Sequence, residues 1–145
     1  MHSDTSDVPV NLWWLWLVGL PAATTLAYRL LVPQRPDYAG HHLAGFAATL
    51  PLVWWTMRWL ARWRYSAVAA AALSIALGAA CEASLFAISG FDGADFFSQS
   101  QGAAQAGLAL ECLRPAVVDG DAALWRFMLI LAAAAFAVGV VYAFA

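Results

Sequence analysis

Five apolar stretches dominate the chain, at residues 12–32, 42–63, 67–89, 96–113 and 123–144, with short polar connections between them. A helix needs roughly 20 residues to cross a hydrocarbon core about 30 Å thick, and four of the five runs plainly meet that length. The fourth, FFSQSQGAAQAGLALECL, opens on Ser98, Gln99, Ser100 and Gln101. It reads either as a short span packed inside protein or as an amphipathic helix at the membrane surface. The pattern predicts an all-α, polytopic transmembrane bundle of five spans, with four as the alternative, forming a single domain over residues 1–145.

Composition sharpens the class. The chain is 63% hydrophobic and only 11% charged, proportions that do not suit a soluble domain with a hydrated surface. All seven cationic side chains are arginine and they form no basic block, so no nucleic-acid partner is expected. Cys81 and Cys112 form no CxxC pair and read as small packing residues rather than a disulfide or metal framework. The leading segment MHSDTSDVPVN is acidic and lacks the positive region of a secretory signal, so the first run is expected to be a retained anchor.

Charge asymmetry orients the bundle. Arg58, Arg62 and Arg64 mark the connection between the second and third runs as cytoplasmic, which puts the N-terminus in the cytoplasm too. With five spans, Arg114 and Arg126 join them on the inside and only Arg29 and Arg35 lie outside. The eight tryptophans then all fall toward the inner leaflet, where interfacial Trp is expected. Four spans would send Trp125, Arg114 and Arg126 outward. Asp4 and Asp7 on the inside are a mild discord, since acids weigh little in this rule.

That topology brings the unusual polar residues to one side. Asp37, His41 and His42 open the second run from the outside, Asp92 and Asp95 sit in the outer connection, and Gln99 lies one turn into the fourth run. Glu82 lies about 7 residues, roughly 10 Å at 1.5 Å per residue, below the outer end of the third run. Helical spacing sets Asp37 with His41, Asp95 with Gln99 and Gly102, and Ser74 with Gly78 and Glu82 on shared faces. The small residues Ser74 and Gly78 would turn Glu82 toward a neighbouring helix instead of lipid. A lone charge at the bilayer centre costs on the order of 2.5–3.5 kcal/mol by insertion scales, so such a carboxylate is expected to face partners or water. His41, His42, Arg35 and Gln99 are the candidate partners. Protonation of the desolvated carboxyl is the alternative.

The elements Asp37-Tyr38-Ala39-Gly40-His41, Gly78-x-x-x-Glu82 and Asp95-x-x-x-Gln99-x-x-Gly102, in that order, resemble the VanZ-like family of small bacterial membrane proteins. The match covers roughly residues 37–107. That family's pattern has Asp-Lys-x-x-His near a helix start, Glu-x-x-Gln late in a later helix, a loop arginine, and Asp-x-x-x-Asn-x-x-Gly leading into the next span. Asp37, His41, Glu82, Asp95 and Gly102 match it position by position. Tyr38, Leu85 and Gln99 replace the family's Lys, Gln and Asn, and the loop ISGFDG has no arginine. The resemblance implies a place in the bacterial inner membrane and a cell-envelope role. Through the family's namesake it also implies a link to antibiotic resistance, specifically tolerance of the glycopeptide teicoplanin. It implies no particular reaction.

Structural roles compete for several of these residues. Asp37 after Pro36 and Asp95 before the fourth run both suit helix N-caps, and His41 and His42 suit an interface. Adjacent histidines on a helix point about 100° apart, which disfavours one metal ion held by both, so no metal site is expected. No cofactor-binding pattern occurs. A histidine beside carboxylates could act as a general base, but no nucleophile stands in triad spacing, and the reading leans away from an enzyme. The expected function is an outward-facing polar pocket that binds a lipid headgroup or lipid-linked envelope precursor. Its ligand-binding residues would be Asp37, His41, Glu82, Asp95, Gln99 and Gly102. Asp37 and His41 would contact the headgroup or orient Glu82, Gln99 would supply amide contacts, and Gly102 would permit close helix approach. The alternative is a small accessory subunit of a larger membrane complex, whose other membrane subunits would be its partners.

Overall fold

The computed structural model describes residues 10–84 and 92–143. The acidic N-terminal segment through residue 9, residues 85–91 of the third run and its following loop, and residues 144–145 lie outside them. Every regular element among the described residues is helical: α1 Val10–Trp13, a π-helical stretch Trp14–Gly19, α2 Leu20–Leu31, α3 Asp37–Trp59, α4 Ser66–Ser84, α5 Gly93–Cys112, α6 Arg114–Asp119 and α7 Ala122–Ala143.

Each boundary has a local cause. Pro21 has no N–H to offer the Leu17 carbonyl. The turn before it is widened to the π pattern, with the Leu20 N–H bonded to the Leu15 carbonyl. Pro36 opens α3 in helical geometry. Asp121 caps α7, its carboxylate accepting from the N–H groups of Ala123 (2.8 Å) and Leu124 (3.1 Å). Gly120, at φ 77°, ends α6 in the left-handed conformation that favours glycine. This short α6 was not expected from the hydrophobic pattern.

Two helices, α4 and α7, are long and apolar enough to cross a membrane. This is fewer than the five spans expected from the runs. Helices α3 and α5 have the length but are interrupted by polar residues, some of them buried inside the protein. In α3 these include His42 and Thr49, and in α5 Ser98.

Side-chain register gives the helix directions. His41 meets Asp95 and Gly45 meets Gln99, so α3 and α5 run parallel. Gly40 meets Gly139 and Trp54 meets Trp125, so α7 is antiparallel to α3. Gly107 meets Ala71 and Gly78 meets Gln99, which makes α4 antiparallel to α5. Tyr28 and Thr24 meet Gln101 and Gln105, which does the same for α2. The long helices thus alternate in direction, with α3 central and packed most extensively on α5 and α7.

The two ends of this arrangement differ. Leu17, Leu50, Val53, Met57, Leu113 and Met128 belong to an apolar core in the half that carries Trp54 and Trp125. Trp13 and Trp14 pack on Phe127 there. Arg114 ties off this end by bonding Glu111 (2.6 Å) and the Arg64 carbonyl (3.0 Å). The opposite end holds the N-termini of α3 and α5 and nearly all the unusual polar groups.

A polar cluster where two parallel helices begin

Because α3 and α5 start side by side, their first-turn acids converge. Arg35, held in the connection before Pro36, reaches back over the start of α3. Its Nη2 lies 2.8 Å from Asp37 Oδ2, 3.3 Å from Asp92 Oδ2 and 3.6 Å from Asp95 Oδ1. Its Nε also donates to both Asp37 oxygens, at 3.2 and 3.1 Å, the fork geometry that suits guanidinium–carboxylate pairs. The guanidinium stacks 4.3 Å from the Tyr38 ring centroid. One helical turn along α3 from Asp37, His41 Nε2 lies 3.4 Å from Asp95 Oδ2.

Three carboxylates therefore face one guanidinium and one imidazole. With all three carboxylates ionised, they outnumber the single guanidinium they share. Asp95 forms the inner wall, with a side chain 18% exposed, while Arg35 and Asp92 form the rim at 42%. The Asp37 hydrogen bond chiefly holds the Arg35 guanidinium charged, pushing its pKa upward. The N–H groups of Ala94 and Asp95 hold the Asp92 carboxyl below the usual range.

Those two N–H groups donate to Asp92 Oδ1 at 2.9 and 3.3 Å, so Asp92 is the N-cap of α5. The expectation that Asp95 takes this role is corrected. Asp95 lies three residues further on and turns its carboxylate to Arg35 and His41. Asp37 likewise makes no side-chain cap: Pro36 occupies the N-cap position, and Asp37 is the first residue of α3. An acid there still favours the helix electrostatically, because the N-terminal N–H groups carry partial positive charge.

Below this rim lies a layer of neutral polar side chains. The Tyr28 hydroxyl donates to Gln101 Oε1 (2.7 Å), the Gln105 amide donates to Thr24 Oγ1 (2.7 Å), and Thr49 and Ser74 share a hydrogen bond of 2.6 Å. Gln99 lays its carboxamide over Gly78, and its backbone sits against Gly45. Gly102 abuts the His42 carbonyl, where a Cβ would collide with backbone. His42 is fully buried, its ring 5.9 Å from that of Tyr28, and neither ring nitrogen has a hydrogen-bond partner among the described residues.

Glu82 is buried on α4, facing inward as its small-residue stripe predicts. The register that sets Gly107 on Ala71 and Gly78 on Gln99 brings Glu82, one turn on, level with Asp95. Its carboxylate makes no hydrogen bond or ion pair among the described residues. Arg35 and His41, two of its expected partners, are engaged by the three aspartates instead. Of the six predicted ligand-binding residues, His41 and Asp95 meet directly, Asp37 joins them through Arg35, Gln99 and Gly102 lie below them on α5, and Glu82 approaches from α4.

Sequence reasoning named Arg35 only as a possible partner of Glu82 and placed Asp92 in the outer connection, and neither stood among the predicted ligand-binding residues, although Arg35 supplies the cation that three aspartates share. The signals were present. An arginine two residues before an acid, across a proline, is placed to fold back, and Asp92 followed by an acid three residues on has N-cap spacing. Among the described residues no group of three or more His, Cys, Asp or Glu is arranged to hold a metal ion.

Comparison with family models, curated proteins and solved structures returned no match. The resemblance to the VanZ-like family accordingly rests on Asp37, His41, Glu82, Asp95 and Gly102 themselves.

Proposed function

We propose that this chain is an integral membrane protein of the bacterial inner membrane whose α3 and α5 N-termini face outward, and that its acidic cluster receives the amine-bearing headgroup of a membrane lipid or lipid-linked envelope precursor. Support for the membrane setting comes from α4 and α7, and from large apolar side chains left uncovered, among them Leu30, Leu31, Leu73, Leu77, Ile130 and Val141. The alternating directions of the long helices suit five crossings. The Trp- and Arg-rich end suits the cytoplasmic interface, which also places the N-terminus inside. The VanZ-like resemblance adds the envelope connection.

One observation carries the choice of ligand: three carboxylates share a single guanidinium, so when they are ionised the cluster has negative charge to spare. A bare phosphate would be repelled there. An ammonium group is attracted and can take hydrogen bonds to Asp37 and Asp95 in competition with Arg35. His41, 3.4 Å from Asp95, flanks the position such a ligand would take.

Native mass spectrometry of protein reconstituted in equal parts phosphatidylethanolamine and phosphatidylcholine tests this. Retained phosphatidylethanolamine is expected on the unaltered chain and should fall severalfold in Asp37→Asn and Asp95→Asn. Equal retention by all three proteins would overturn the assignment. Recovery only in fixed stoichiometry with other membrane proteins would favour the accessory-subunit reading.

A further inference from the structure

A second feature lies on another face and has the opposite charge. Between α2 and α7, floored by Leu43 and Phe46 of α3, runs an open groove of about 420 Å³. Its walls are apolar, including Pro21 on one side and Leu131 and Val138 on the other. The Thr25 hydroxyl on its wall is already satisfied by the Pro21 carbonyl at 2.8 Å. Arg29 and Tyr142 stand at the end nearest the polar cluster, with the guanidinium 5.3 Å from the Tyr142 ring centroid.

Arg29 differs from Arg35 in a decisive respect. Arg35 is surrounded by carboxylates, whereas Arg29 is exposed and has no carboxylate partner among the described residues. From Leu17 at the deep end to Arg29 at the mouth is twelve residues of helix, about 18 Å at 1.5 Å per residue. Half of a hydrocarbon core about 30 Å thick is about 15 Å, the depth of one leaflet. An apolar slot one leaflet deep, with at its headgroup level a cation that has no carboxylate partner among the described residues, is complementary to one acyl chain below an anionic phosphate.

We infer that this groove is a binding site for an anionic phospholipid, with one acyl chain lying between α2 and α7 and its phosphodiester on Arg29. The inference rests on the membrane reading above but not on the ligand assigned to the acidic cluster. The two sites select opposite headgroup charges and stand on different residues.

The test uses the full chain in vesicles of equal parts phosphatidylglycerol and phosphatidylcholine, with adducts counted by native mass spectrometry. Phosphatidylglycerol should be preferred by about fivefold, the factor that corresponds to ~1 kcal/mol for one cationic side chain at an anionic surface. Arg29→Gln should bring the ratio to parity and Arg29→Lys should keep most of it. Ala134→Trp, which fills the groove without touching Arg29, should remove the preferred adduct. No preference in the unaltered protein, or a preference unchanged in Arg29→Gln, would overturn the site. Asp95→Asn should leave this ratio intact, so failure of the acidic-cluster assignment is read separately. Failure of the chain to enter vesicles at all would instead remove the membrane reading that both share.

Discussion

His41 Nε2 stands 3.4 Å from Asp95 Oδ2, joining the N-terminal ends of two helices that run parallel and are not consecutive in the chain. Both side chains are less than one-third exposed, so their contact is screened less than one between fully exposed side chains. A double-mutant cycle with His41→Ala and Asp95→Asn, read by denaturant unfolding in detergent, should show a coupling of about 1 kcal/mol. A coupling of zero would mean that the two residues share the site without supporting each other.

Asp92 has two duties, capping α5 and receiving Arg35. Asp92→Ala should lower stability measurably, and Asp92→Asn considerably less, because Asn also caps. The folded chain lowers the carboxyl pKa of Asp92, chiefly through the N–H groups of Ala94 and Asp95. Its contribution is therefore present above the ordinary carboxylate pKa and is lost as pH falls through the lowered value. The stability difference between the unaltered chain and Asp92→Asn should accordingly shrink on acidification, as pH-dependent melting curves can show.

Close approach of α3 and α5 depends on two glycines. A Cβ at Gly102 would run into the His42 carbonyl, and one at Gly45 into the backbone of Gln99. A Cβ at Gly107 would press on the Ala71 methyl at 2.9 Å, a side-chain contact. Gly102→Ala and Gly45→Ala should each destabilise by about 1–3 kcal/mol, the usual cost of overpacking, with Gly107→Ala at or below the low end. Melting temperatures in one detergent would rank them.

The proposed orientation is open to labelling. With Cys81 and Cys112 changed to Ser, a cysteine placed at Asp92 should react with an impermeant maleimide added outside intact cells, and one placed at Arg62 only after permeabilisation. Reversed accessibility would invert the topology and move the acidic cluster to the cytoplasmic side.

Helix positions were legible in the sequence because their causes are local. Runs at residues 42–63 and 123–144 anticipate α3 Asp37–Trp59 and α7 Ala122–Ala143 to within a few residues, since apolar length and flanking turns set those ends. The convergence of Asp37, His41 and Asp95 at one end was legible too, because the alternation of runs assigns each residue a side. Pairing was not legible. Two adjacent histidines point about 100° apart on a helix, and only the packing of α3 against both α2 and α5 turns His41 to Asp95 and buries His42 beside Tyr28. The exchange of roles between Asp92 and Asp95 likewise required the exact start of α5, and Arg35 entered the site because the α2–α3 connection folds over two helix ends at once. Hydrophobic periodicity and chain direction act through neighbours in sequence, so composition reveals them. The partner of each charge depends on which helices touch and in what register, and that is settled only when distant segments pack.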